Sequence, residues 1–413
     1  MTNVSFLRNA AKVLMAVLVL SCAVSCIFRY DEDEPFKSTV LIYIAAENSL
    51  SQNANPNIVS MSKCIQGGVD NANLLVFVDR KDLKPMLLHL HEDVIDTLVR
   101  YDEMDSTDPE VLRNVIDYMR TNWAADYYGL VLWSHGTGWI PTSMLHFVAP
   151  NLNYSQSRDD DSQRANVLEI QRYPSSVTRA FAMEDRRYGN PPYVCMDLDK
   201  LSDAIPDGLF NYIAFDACYM GNVEVVYALR HKARYIISSC YEIVSQGFPY
   251  QKVTRDFMEG NLLKVCREFF SYYDNMSGWE RMGGISLVKT EGLDSLAHCF
   301  SKMVSGNMDY IQDMDVSKIQ RFDRFRNHTF FDLGDFVDKL GASKEYKDEF
   351  RAQLERCVPY KVSTPYIFPG EYDSIKVEKY CGLSVYIPMR KYEAEGLNDK
   401  YRETEWCLDT GYY

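Results

Sequence analysis

No stretch of this sequence approaches the run of about 20 apolar residues that a membrane-spanning helix needs. The most apolar segment, Val13 to Leu20, is far shorter, so a bundle of spanning helices is excluded. Paired cysteines are missing too. Beyond the N-terminal segment, Cys64, Cys195, Cys218, Cys240, Cys266, Cys299, Cys357, Cys381 and Cys407 stand far apart. They show neither CxxC nor zinc-type spacing, so a dense disulfide scaffold and a cysteine metal site are not expected. Basic charge is in deficit, with 44 Lys and Arg against 58 Asp and Glu and a net charge of −14. A nucleic-acid binder needs a basic face to displace counterions, and that class drops out. No internal repeat or low-complexity tract is present.

What remains is ordinary globular composition, 46% hydrophobic and 25% charged over 413 residues, enough for one large domain or two smaller ones. The N-terminus departs from it. Arg8 and Lys12 precede the apolar run, and Ser21-Cys22 and Ser25-Cys26 follow. A charged segment, a short apolar core and small residues ahead of a cysteine form an export signal of the bacterial lipoprotein type, residues 1–26. Cleavage before Cys26 or Cys22 fits; Cys26 leaves no apolar stretch on the mature N-terminus. A plain secretory signal with incidental cysteines is the alternative. Residues 27–37, with Asp31-Glu32-Asp33-Glu34, then make an acidic tether too charged to pack. The expected location is the cell envelope, lipid-anchored.

From Ser38 onward apolar runs alternate with helical patterns. Thr39 to Ala46, Leu74 to Val78, Tyr128 to Trp133, Leu209 to Phe215 and Tyr235 to Ser239 are continuous apolar strands of the kind buried on both faces; Pro85 to Leu90 is weaker. Thr107-Asp108-Pro109-Glu110 opens a helix, with Thr107 as cap and apolar residues at helical spacing up to about Trp123. Helices are also expected at Val223 to Arg230, Asn261 to Tyr273 and Leu293 to Val304, with strands at Gly284 to Val288 and Cys381 to Pro388. Strands alternating with helices predict an α/β fold with a mostly parallel central sheet between helical layers, and a helix-rich C-terminal extension. A core over residues 38–250 is interrupted by a polar insert at about 146–192, and 251–413 completes the same unit.

Two strand ends carry candidate chemistry. One runs Trp133-Ser134-His135-Gly136-Thr137-Gly138, the other Asp216-Ala217-Cys218-Tyr219-Met220-Gly221. Histidine moves protons near neutral pH. A cysteine held at a helix N-terminus is favoured as thiolate, its reactive form. Both residues lie just past carboxyl ends of strands, where open α/β sheets bind ligands. If the strands are neighbours, His135 and Cys218 make a base and a nucleophile. The N–H groups of Gly136 and Cys218 are then oxyanion-hole donors. Taken singly, each residue is more often structural; the matched pair with flanking glycines favours function.

The pair of motifs resembles the clostripain family of cysteine peptidases, family C11 of the caspase-like clan. Leu41 to Leu50 (LIYIAAENSL), Gly247-Phe248-Pro249-Tyr250 and Gly382 to Pro388 are similar to further family segments. The resemblance implies a caspase-like three-layer fold, a Cys218/His135 dyad, and peptide-bond cleavage through an acyl-enzyme, with no required cofactor. Its partners would be protein or peptide substrates and the membrane that holds the anchor. Asp216 and Glu242 are the tentative substrate-binding carboxylates. Relatives carry Ser-Gln-Glu where this chain has Ser239-Cys240-Tyr241-Glu242; the acid is displaced by one residue, which leaves preference for a basic P1 residue open. Some relatives process themselves between the two motifs, where Arg158, Arg164, Arg172, Arg179, Arg186 and Arg187 are candidate sites here. Calcium stimulation is known in the family, but Asp159-Asp160-Asp161 fits a solvated loop at least as well. The alternative function is an inactive or non-proteolytic surface lipoprotein that binds a partner on the same fold.

Overall fold

The computed structural model describes residues 37–81, 83–145, 181–185 and 193–413. The signal segment with Cys22 and Cys26, the tether, Asp159-Asp160-Asp161 and the six arginines of the insert lie outside the described residues.

The expected apolar strands form one nine-stranded sheet. Its members are β1 (Ser38–Ala46), β2 (Ala72–Arg80), β3 (Leu83–His91), β4 (Val94–Arg100), β5 (Tyr127–Trp133), β6 (Phe210–Asp216), β7 (Ala233–Ser238), β8 (Gly284–Lys289) and β9 (Tyr360–Ser363). They lie in the order β9-β8-β7-β6-β5-β1-β2-β3-β4. The middle five, β7 to β2 in that order, are parallel; each edge is completed by two antiparallel strands. Every residue of β1 and β6 is buried, as a strand covered on both faces requires.

The helices include α1 (Ser51–Cys64), α2 (Pro109–Asn122), α3 (Leu198–Ala204), α4 (Val223–Ala228), α5 (Tyr250–Met258), α6 (Leu262–Asp274), α7 (Leu293–Val304), α8 (Lys344–Cys357) and α9 (Glu405–Thr410). Helices α1, α5 and α6 pack together in one layer, while α2, α3, α4, α9, α7 and α8 follow one another across the other. Alternation along β1 ties it to both. Ser38 Oγ donates to the Met258 carbonyl at the end of α5, and Thr39 Oγ1 donates to the Trp123 carbonyl just past α2. The predicted three-layer α/β architecture is the observed one, and residues 284–363 supply its last two strands.

Local readings differ in four places. Asp108, not Thr107, caps α2 by accepting the Glu110 N–H at 2.9 Å, because Thr107 is drawn back to Asp105. The segment read as patternless contains a strand, Phe181–Asp185, paired with Tyr193–Met196. The C-terminal strand shrinks to Ser384–Val385, paired with Phe331–Asp332 outside the main sheet. It ends there because the next N–H, that of Tyr386, donates to Glu224 Oε1 at 3.0 Å. The fourth difference concerns how far Cys218 stands from the helix that follows it, and belongs to the site. Among the described residues no helix is long and apolar enough to cross a membrane.

Candidate active site

Strands β5 and β6 are parallel neighbours, and Trp133 is the register partner of Asp216. The ladder continues one step further, with Ser134 N–H donating to the Asp216 carbonyl at 3.2 Å. His135 and Cys218 each stand two residues past that matched pair, so the two chains leave the sheet at the same level. Both side chains are nearly enclosed, 2% exposed for His135 and 4% for Cys218. The turns touch. A Cβ placed on Gly136 would meet the Cys218 carbonyl oxygen at 2.5 Å, a distance no side chain tolerates, and this close approach is what requires glycine.

The surroundings of Cys218 correct one expectation. Helix α4 begins at Val223 and is capped by Asn222, whose Oδ1 accepts the Val225 N–H at 3.0 Å. Cys218 is therefore not in its first turn, and a helix dipole fades over that distance. A different N–H reaches the sulfur: Ile243 N–H donates to Cys218 Sγ at 3.3 Å, while the thiol faces the Ile243 carbonyl at 3.7 Å. The Ile243 backbone thus offers the sulfur both a donor and an acceptor.

Tyr219, next in the chain, adopts a φ of +59°, which a bulky residue takes only when its surroundings compel it. Those surroundings are specific. Its N–H donates to the Tyr241 carbonyl at 3.2 Å and its ring stacks on Phe330 at 4.6 Å. Its hydroxyl donates to Glu242 Oε1 at 3.1 Å. Burial pushes that phenol well above its ordinary range, helped by the Glu242 charge.

The two tentative substrate-binding carboxylates are placed apart from each other in role. Asp216 is buried and its Oδ2 accepts the Phe248 N–H at 3.0 Å and the Tyr250 hydroxyl at 2.8 Å. Burial raises its pKa to about 6, with those two hydrogen bonds pulling it down. It fastens the Gly247-Phe248-Pro249-Tyr250 segment against β6; Gly247, at φ +70°, leaves room for the carboxylate. Glu242 is buried and engaged by Tyr219.

On the other side of β5, Ser49 Oγ stands 2.8 Å from His135 Nε2. Ser49 lies in the segment Leu41 to Leu50 that marked the opening strand, but nothing in the sequence singled it out. The Ile243 contact was likewise unread. Among the described residues no three His, Cys, Asp or Glu side chains are grouped as metal ligands, and all nine cysteines there are free thiols.

An α/β sheet that carries a cysteine and a histidine at neighbouring strand ends has the architecture of a cysteine peptidase. The clostripain family model matches residues 42–173 and 173–409, and the chain belongs to that family. It is similar to clostripain of Hathewaya histolytica, 25% identical over 248 residues, which make up 52% of this chain and 41% of that protein; the chain matches less than half of that relative's length. Among solved structures it is similar to an inactive zymogen C11 protease from Parabacteroides distasonis, with TM-score 0.73 and 30% identity over 91% of this chain and 99% of that one. A secreted C11 cysteine protease from Bacteroides thetaiotaomicron, solved with an irreversible peptide inhibitor, gives TM-score 0.72 and 26% identity over 91% and 98%.

Proposed function

We propose that this protein is an exported cysteine endopeptidase in which Cys218 is the nucleophile and His135 the general base. The observation that carries this reading is the shared exit level of β5 and β6, which sets the two side chains on adjacent turns in contact through Gly136. His135 takes the thiol proton as Cys218 Sγ attacks the scissile carbonyl carbon. The N–H groups of Gly136 and Cys218 donate to the oxyanion. His135 then gives its proton to the leaving amine, and water, activated by the same imidazole, releases the acyl group and restores the thiol. The Ile243 N–H beside the sulfur supports the anion before attack.

Self-processing between the two motifs is part of the proposal. Its supports are the near-complete enclosure of His135 and Cys218 and the description of the Parabacteroides relative as an inactive zymogen. Lipid anchoring through Cys26 or Cys22 places the enzyme on the cell envelope. The N-terminal pattern and the Bacteroides relative's description as secreted support export.

The test is labelling with a thiol-reactive peptidyl ketone. Wild type is expected to be labelled at Cys218 and Cys218→Ala not at all; wild-type labelling no greater than that of the variant would overturn the enzyme reading. Incubation of active protein should also convert one band into two on a denaturing gel. Mass spectrometry of the mature N-terminus is expected to show a diacylated or triacylated cysteine, and an unmodified one would remove the anchor.

A further inference from the structure

His135 follows the middle strand of three: β6, which leads to the cysteine, lies on one side of β5, and β1 on the other. Ser49 comes from the β1 side, three residues past that strand's end. Its hydroxyl, 2.8 Å from Nε2, is carried on a pinned turn. Asn48, 1% exposed, accepts the Leu50 N–H at 2.9 Å and donates to the Ala45 carbonyl at 3.0 Å. Ser134, the residue before His135, donates to that same carbonyl at 2.7 Å. The serine turn and the histidine turn thus share one anchor, the last-but-one carbonyl of β1. Which imidazole nitrogen carries the proton is set by the bond the other nitrogen makes. With Nε2 engaged by Ser49, proton transfer falls to Nδ1.

We propose that Ser49 is a positioning residue for His135: its Oγ accepts the Nε2–H, fixes the tautomer, and hands Nδ1 to the thiol and the leaving amine. The proposal rests on His135 being the base. It also gives the imidazolium formed during attack an acceptor for its second N–H, which stabilises the cation.

The experiment compares wild type, Ser49→Ala, Ser49→Thr and His135→Ala on one peptide substrate, with full kcat and KM values across pH. Ser49 is exposed at the rim, so these variants are expected to melt with wild type, which thermal denaturation checks. Ser49→Ala is expected to lose about three- to tenfold in kcat, the range one neutral hydrogen bond supplies, with KM within about twofold of wild type. The limb of its kcat profile that reports the imidazolium should move to lower pH, because the cation loses an acceptor. Ser49→Thr, which keeps the hydroxyl, should restore both. A wild-type kcat and pH profile in Ser49→Ala, or a threonine variant as impaired as alanine, would overturn the assignment. If His135→Ala is inactive in that case, the dyad stands and only the role of Ser49 falls; if His135→Ala turns over like wild type, both fall.

Discussion

The two strand ends that meet at the site are held by different means. On the cysteine side the main chain does the holding: Ile243 N–H on Sγ, Tyr219 N–H on the Tyr241 carbonyl, and a left-handed residue locked under Phe330. On the histidine side the Ser134 N–H on the Asp216 carbonyl is joined by two side chains, Ser134 on the Ala45 carbonyl and Ser49 on the imidazole. Main-chain contacts survive most substitutions at the residues that make them, whereas a hydroxyl is lost in one. The place of Cys218 is therefore a property of the fold, and the orientation of His135 depends on particular residues.

That contrast can be broken from the cysteine side first. Cys218→Ala should lower peptide cleavage by at least about 10⁴-fold, since little remains when the attacking atom is removed, while melting as wild type does; kcat/KM and a thermal scan check both. Gly136→Ala attacks the contact between the two ends. Its methyl would press on the Cys218 carbonyl, and displacement of the turns should cost about 10²-fold in kcat and about 1–3 kcal/mol in stability. Asp216→Asn sharpens the comparison through pH. The carboxyl's pKa rises from 3.8 to about 6 on folding, so the folded state holds the proton more tightly than the unfolded chain. The stability this gives is complete below about pH 4 and is lost as pH rises through 6. Wild type should thus lose roughly 2–3 kcal/mol relative to the variant between pH 4 and 8, read by denaturant melts. Tyr219→Phe is the mildest. It removes the bond to Glu242 and should cost about 1–2 kcal/mol. Cleavage of a lysine-P1 and a leucine-P1 peptide by this variant tests whether Glu242 reads substrate: a changed ratio says that it does.

The parts legible in the sequence were those whose signal is local. Strands β1, β5 and β6 announce themselves because burial on both faces demands unbroken apolar runs. The His135 and Cys218 turns follow at their ends. Strand β4 was invisible because Val94–Arg100 is an edge strand, largely exposed, and needs no apolar pattern. Helix α1 was invisible for a similar reason: it is polar, contains Pro56, and is shaped by what it packs on. Within the site, Ser49 lies 86 residues from His135 and Ile243 lies 25 from Cys218. No periodicity or spacing reports contacts that only the strand order creates. The helix after Cys218 starts at Val223, where its apolar pattern begins; what the sequence does not show is that Asn222 caps it, which leaves Cys218 four residues short of the cap.

The sheet order bears on what happens to a chain cut between the two motifs. Everything before residue 146 supplies β1 to β5 and the histidine; everything after 192 supplies β6 to β9 and the cysteine. The border between these halves includes the β5–β6 ladder, five matched pairs from Gly129 with Tyr212 to Trp133 with Asp216, with α1 packing on α5 and α2 on α3. A nicked molecule is then a two-chain complex whose pieces share one continuous sheet, each bringing one residue of the proposed dyad. Neither piece would be expected to work alone. The nicked enzyme should elute as a single particle on size exclusion, run as two fragments under denaturant, and regain activity only when both fragments are refolded together.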